Sequence, residues 1–139
     1  MGIAGGSPIA SVMDRIIGTW RLIDEAAWDQ DGKPLPTLFG SNPLGLVIFT
    51  SANRMMVAIA DGTPDPIDGP RTDVFYYGSF TFDGHRLVTI VDGCSNAIWQ
   101  ETPQIREARF DAGRLILSPP VGLLGPLDVR RDLTWERIA

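Results

Sequence analysis

Cysteine, histidine and lysine are almost absent from this chain of 139 residues, which has one of each: Cys94, His85 and Lys33. A single cysteine cannot form an internal disulfide, and one cysteine with one histidine cannot supply the ligands of a His/Cys metal site. The sequence also lacks an apolar run of the roughly 20 residues that a membrane-spanning helix needs. We therefore expect no disulfide framework, no metal and no membrane span.

Positive charge is also scarce, because 12 Lys and Arg face 17 Asp and Glu, for a net charge of −5. Without a basic cluster, neither nucleic acid nor an anionic membrane surface is an expected partner. There is no Walker A motif, and Gly5-Gly6 follows no predicted strand, so no cofactor is expected. The first residues lack the basic and apolar regions of a signal peptide, which predicts a cytoplasmic location. The sequence leaves a homodimer open.

What the chain does contain is one short helical pattern followed by many strand patterns. Ser7-Pro8 and Gly18 bound the helical pattern, whose apolar stripe is Ile9, Val12, Met13, Ile16 and Ile17. From Thr19 the apolar residues alternate, and turns such as Asp83-Gly84 separate the runs. The strands are predicted at 19–28, 44–50, 54–60, 73–82, 86–91, 105–111, 115–117 and 131–138. We predict an all-β fold, a single antiparallel β-barrel domain over 1–139 with 8–10 strands, a short N-terminal helix and a flexible segment 1–7.

Several stretches of the chain resemble one family. They are Gly18–Ile23 (GTWRLI), Asp31–Val57, Tyr76–Phe80, Val91-Asp92-Gly93 and the closing Leu133–Arg137 (LTWER). The chain is similar to the bacterial and fungal lipocalin-like domain proteins, small calycin-like barrels. The resemblance implies a lipocalin-like barrel with an apolar interior. It also implies that Trp20 of the first strand packs against Arg137 of the last at the closed end. Fold alone does not determine the chemistry inside such a barrel.

Three polar residues are the candidates for chemistry inside the barrel. Alternation places Asp24 on the inner face with Trp20 and Leu22, and Arg106 on an inner face with Ala108. A buried carboxylate needs a partner, so Asp24 and Arg106 are predicted to pair, either structurally or to orient a ligand. Arginine also suits a ligand carboxylate, which it binds with two parallel hydrogen bonds. Tyr76 lies on an apolar face, where its hydroxyl finds either a backbone partner or a ligand oxygen.

The remaining candidates for ligand binding are apolar or aromatic: Met56, Phe80 and Trp99. Three functions remain open on this basis. The first is binding of a small hydrophobic molecule, of a fatty-acid-like, terpenoid-like or aromatic kind. The second is a cofactor-independent isomerase, cyclase or hydrolase acting on such a molecule, with Asp24, Tyr76 and Arg106 as candidate catalytic groups. The third is a scaffold whose interior is filled by its own side chains.

Overall fold

The computed structural model of the chain describes residues 8–64, 71–96, 102–120 and 129–139, with side chains from residue 12 onward. The predicted flexible segment 1–7 lies outside these ranges. The described residues form one helix and eight strands: α1 (Pro8–Ile16), β1 (Gly18–Trp28), β2 (Pro43–Phe49), β3 (Arg54–Asp61), β4 (Asp73–Phe82), β5 (Arg86–Cys94), β6 (Pro103–Asp111), β7 (Arg114–Ser118) and β8 (Arg130–Arg137).

The eight strands close into one antiparallel barrel in sequence order. Closure depends on pairing of the first strand with the last, in which Trp20 lies opposite Arg137 and Leu22 opposite Trp135. The predicted all-β barrel of 8–10 strands is thereby confirmed with eight. Among the described residues, no helix is long and apolar enough to cross a membrane.

The hairpins that join β2 to β3, β4 to β5 and β6 to β7 each turn at residues in the left-handed backbone conformation. The backbone φ angle is 61° at Asn53, 100° at Gly84 and 80° at Gly113. Asparagine and glycine adopt this conformation at the lowest cost, which is why these residues mark hairpins in the sequence. All three turns lie at the same end of the barrel as α1, because each follows an even-numbered strand of an alternating antiparallel set.

Helix α1 covers that end of the barrel. Val12 and Met13 pack against the core, and Ile16 is fully buried in it. The indole Nε1 of Trp20 donates to the carbonyl oxygen of Ile16 over 2.9 Å. Two residues after the helix ends, Gly18 has a φ of 138°, and a Cβ there would collide with the guanidinium of Arg137. Glycine is therefore required at the helix-to-strand junction.

Arg137 joins the last strand to this helix. Its guanidinium carbon lies 4.3 Å from the centre of the Trp20 ring. Its Nη2 donates to the carbonyl oxygen of Arg15 over 2.7 Å, and its Nη1 donates to that of Ile17. A cation at a helix C-terminus satisfies carbonyl groups that have no partner within the helix. The expected Trp20–Arg137 contact is confirmed, and the covered end is the closed end of the barrel.

The predicted inward orientation of Asp24 is wrong. The β1–β8 register shifts between Leu22 and Asp24, so the strict alternation of β1 is broken there. Beyond this β-bulge, Glu25 and Ala27 are buried, whereas Asp24 is exposed. A bulge adds one residue to one strand and thereby moves every later side chain to the other face. The predicted Asp24–Arg106 pair is therefore also wrong.

Candidate functional site

An apolar cavity of about 80 Å³ lies inside the barrel, toward the end opposite α1. Aliphatic and aromatic side chains from most of the strands form its wall, and residues of the β1–β2 loop cover its mouth. The lining residues are Leu38, Phe39, Val47, Met55, Val57, Ile59, Val74, Tyr76, Leu87, Arg106, Leu117, Pro119, Leu133 and Trp135. The polar groups on this wall are few, which is typical of a small-molecule site.

The indole of Trp135 is a buried polar group in the wall of the cavity. The side chain is 1% exposed, and its Nε1 finds no hydrogen-bond acceptor within the part of the chain that the structure describes. Its counterpart Trp20 donates to Ile16, so the two buried indoles differ in this respect. A buried donor without an acceptor costs about 1–3 kcal/mol. An acceptor on a bound molecule would recover that cost.

Arg106 and Tyr76 also line the cavity, so the prediction that both face inward is confirmed. Arg106 is half-buried on β6, and its Nη1 donates to the carbonyl oxygen of the neighbouring Ile105 over 2.8 Å. An arginine has five N–H donors, so one such bond leaves others for a further acceptor. Tyr76 is buried on β4, where the residues of its face alternate as predicted.

Glu25 holds the loop that covers the mouth. Its carboxylate accepts the backbone N–H groups of Leu38 and Phe39, over 2.9 and 3.1 Å. Phe39 is itself a core residue, and both loop residues line the cavity. Because charge-assisted hydrogen bonds to a carboxylate are strong, Glu25 fixes the loop rather than meeting a ligand. The buried carboxylate predicted for β1 thus exists one residue later, with a structural partner.

A second buried arginine lies on the same face of β8 as Leu133 and Trp135. Arg131 is 9% exposed, and its Nη1 is buried with no acceptor among the residues described. The four ion pairs of the described chain do not include it. Arg131 lines a separate surface pocket together with Glu107 and Asp132, so it brings a positive charge to the wall of the barrel but does not line the cavity.

The other predicted ligand contacts lie elsewhere. Met56 is exposed on the outer surface, and its neighbour Met55 lines the cavity instead, so the placement of Met56 in the cavity is wrong. Phe80 is buried against Phe49 with ring centres 5.1 Å apart, in the core and away from the cavity wall. Trp99 lies outside the described residues. Of the six predicted contacts, the cavity unites Tyr76 and Arg106.

The family model of the lipocalin-like domain matches residues 17–138. The chain belongs to this family. The match begins at the residue before β1 and runs through β8, so it covers the whole barrel. No curated protein matches the chain. A lipocalin-like barrel suits the binding of small molecules in general.

The sequence reasoning missed three buried polar residues of this lipocalin-like barrel: Trp135 in the cavity wall, Arg131 on the same face of β8, and Glu25, which holds the loop over the mouth. Trp135 and Arg131 share a face of β8 with Leu133, which alternation along the predicted last strand could have shown. Nothing in the sequence marks the bulge that buries Glu25. The missing acceptor of Trp135 depends on tertiary packing and has no sequence signal.

Proposed function

We propose that the barrel binds a small, mostly apolar molecule that presents a hydrogen-bond acceptor to Trp135. The observation that carries the proposal is the indole Nε1 of Trp135, which is buried at the cavity wall without an acceptor among the described residues. Around it the wall is aliphatic and aromatic, so the body of the ligand is apolar. A single well-placed donor in such a wall gives orientation and specificity.

The size of the cavity favours a compact ligand. Its volume of about 80 Å³ is smaller than the roughly 150 Å³ of an engineered apolar cavity that accepts benzene. The body of the ligand is therefore no larger than a short chain or a single ring, and a ring would lie partly in the mouth of the cavity. A long fatty acid or a terpenoid would have to displace Leu38 and Phe39, which Glu25 holds in place.

The charges around the cavity favour an anionic acceptor, such as a carboxylate. Arg106 lines the wall, and Arg131 lies on the face of β8 that bears Trp135. The carboxylate of Glu25 is occupied by two loop amides. An anion beside Arg106 would meet N–H donors and a positive charge together, which lowers the cost of removing it from water.

Binding is better supported than turnover. Among the described residues that line the cavity, the titratable side chains are Tyr76 and Arg106. General acid–base catalysis uses a positioned group that changes protonation near neutral pH, most often a histidine or a carboxylate. His85 is exposed and Asp24 points outward, so neither serves the cavity. No observation in the described wall favours an isomerase, cyclase or hydrolase.

Titration calorimetry with a matched pair of small molecules tests the proposal. Benzoate and toluene have similar bodies, but only benzoate carries an acceptor. We expect benzoate to bind, and Trp135→Phe or Arg106→Leu to weaken its binding about tenfold each, which corresponds to about 1.4 kcal/mol. The matched control is Arg109→Leu, because Arg109 lies on the outer face of β6 in an ion pair with Asp132.

Two results would overturn the proposal. One is that toluene and benzoate bind equally well, which would remove the role of the acceptor. The other is that Arg109→Leu weakens benzoate binding as much as Trp135→Phe does, which would place the molecule outside the cavity.

A further inference from the structure

The outer surface of three neighbouring strands is apolar although it faces solvent. On β2, β3 and β4 the outward side chains fall into rows across the strands, since Leu46 lies opposite Ala58 and Ala58 opposite Phe75. The next row joins Ile48, Met56 and Tyr77. We call this surface the outer apolar face; its residues are Leu44, Leu46, Ile48, Met56, Ala58, Ala60, Phe75 and Tyr77.

The outer apolar face has both a groove and ridges. The small side chains of Ala58 and Ala60 form the floor of a groove of about 520 Å³, with Leu44 and Leu46 on one side and Phe75 on the other. A two-fold interface uses the same patch on both copies, so the patch must be complementary to itself. A face that carries ridges beside a groove meets this requirement, because the ridge of each copy can enter the groove of the other.

Three ion pairs lie around the face, and Asp73 lines its groove without an ion pair among the described residues. Arg21 pairs with Glu136 at one edge, and Arg54 pairs with Asp92 over 2.6 Å at another. At the third edge Arg71 lies 3.9 Å from Asp61. The charge of the rim is therefore balanced except for Asp73, whereas the protein has a net charge of −5. Two copies can approach through this face with less of the repulsion that their net charge produces elsewhere.

The area is sufficient for a stable dimer. The six large side chains are each 37% to 55% exposed. Since a large side chain buries on the order of 200 Å², these fractions amount to roughly 500 Å² of apolar surface per copy. The two alanines and the rim add to this value, so two copies would bury more than about 1,000 Å² in total, the size that a specific interface needs.

We infer that the outer apolar face is the interface of a symmetric homodimer. An apolar centre with a polar rim is the usual anatomy of such interfaces. The inference does not depend on the proposed ligand, because these side chains lie outside the barrel and the cavity lies within it.

Sedimentation velocity of the full chain between about 1 and 100 µM tests the inference. We expect the wild type to form dimers, and Leu46→Glu to raise the dimer dissociation constant at least 100-fold, because the symmetry buries the new charge twice. The matched control is Ile90→Glu on β5. Ile90 is 44% exposed and Leu46 45% exposed, but Ile90 lies beyond the Arg54–Asp92 pair, outside the face. Circular dichroism verifies that both variants fold.

Three outcomes would overturn the inference. In the first, the wild type is monomeric throughout this range. In the second, the wild type dimerises but Leu46→Glu has no greater effect than Ile90→Glu. In the third, the wild type is monomeric but cosediments with phosphatidylcholine vesicles and Leu46→Glu abolishes this, which would assign the face to a lipid surface.

Discussion

At the scale of single residues, the two buried tryptophans of β1 and β8 perform different tasks. Trp20 donates its indole N–H to Ile16 and stacks under Arg137, so its polar atom is fully used in closing the barrel. Trp135 is equally buried but keeps an N–H without an acceptor among the described residues. The first arrangement stabilises the fold, whereas the second lowers stability and agrees with the proposed binding of a ligand acceptor.

Replacing each tryptophan with phenylalanine separates these tasks. Trp20→Phe loses a hydrogen bond and weakens the stacking of Arg137, whereas Trp135→Phe loses no hydrogen bond within the described protein. We expect Trp20→Phe to lower the free energy of unfolding by about 1 kcal/mol more than Trp135→Phe does. Urea unfolding of ligand-free protein measures both values. Equal losses would show that the N–H of Trp135 has a structural acceptor.

At the scale of elements, the sequence predicts where strands lie better than which face of a strand is buried. The predicted range of β4 agrees with the structure at both ends, because Asp73 follows a proline- and glycine-rich loop and Asp83-Gly84 forms a turn. The inward direction of Tyr76 was also predicted, because three of the five outward residues are polar and only Phe75 and Tyr77 are aromatic. Local signals of this kind act within a few residues, so one sequence is enough to identify them.

In two strands, alternation of polarity fails to predict which face is buried, and each failure has a physical reason. In β1 the bulge after Leu22 exchanges the orientation of Asp24 and Glu25, and the cost or gain of a bulge depends on the partner strand. In β3 both faces are apolar, with Met55 inside and Met56 outside, so alternation of polarity gives no direction. The outer apolar face is therefore the reason that Met56 was assigned to the cavity.

The β4–β5 hairpin predicts a pH dependence of stability. The Oδ1 of Asp83 accepts the backbone N–H groups of Arg86 and His85, over 2.6 and 2.8 Å. The bond from Arg86 lowers the pKa of Asp83 from its usual value of 3.8 the most, and the bond from His85 lowers it further. Burial raises the pKa by less than these bonds lower it. Because the pKa of Asp83 is lower in the folded state, its ionised carboxylate stabilises the fold. This stabilisation is complete above the pKa of Asp83 in the unfolded chain, and it disappears as the pH falls through the pKa of Asp83 in the folded protein.

We therefore expect Asp83→Asn to be less stable than the wild type at neutral pH, with the difference vanishing in acid below the folded pKa. Urea midpoints at about pH 7 and about pH 2 measure this change. A difference that stays constant between the two conditions would mean that the charge of Asp83 contributes nothing to the hairpin.

At the scale of the whole molecule, the two ends of the barrel have separate roles. Helix α1, Trp20 and Arg137 close one end with aromatic packing and hydrogen bonds. At the other end Glu25 holds Leu38 and Phe39 over a small apolar cavity that contains Trp135, Arg106 and Tyr76. The outer apolar face lies on the side of the barrel between them. Substitutions at the closed end should therefore change stability more than ligand affinity.

The indole N–H resonances of the tryptophans test the central claim most directly. The loss of one signal in Trp135→Phe, and of another in Trp20→Phe, assigns the two. On addition of benzoate we expect the Trp135 signal to move downfield, because its N–H gains an acceptor, whereas the Trp20 signal stays in place because its acceptor is Ile16. A Trp135 signal that does not move while benzoate binds would contradict the account.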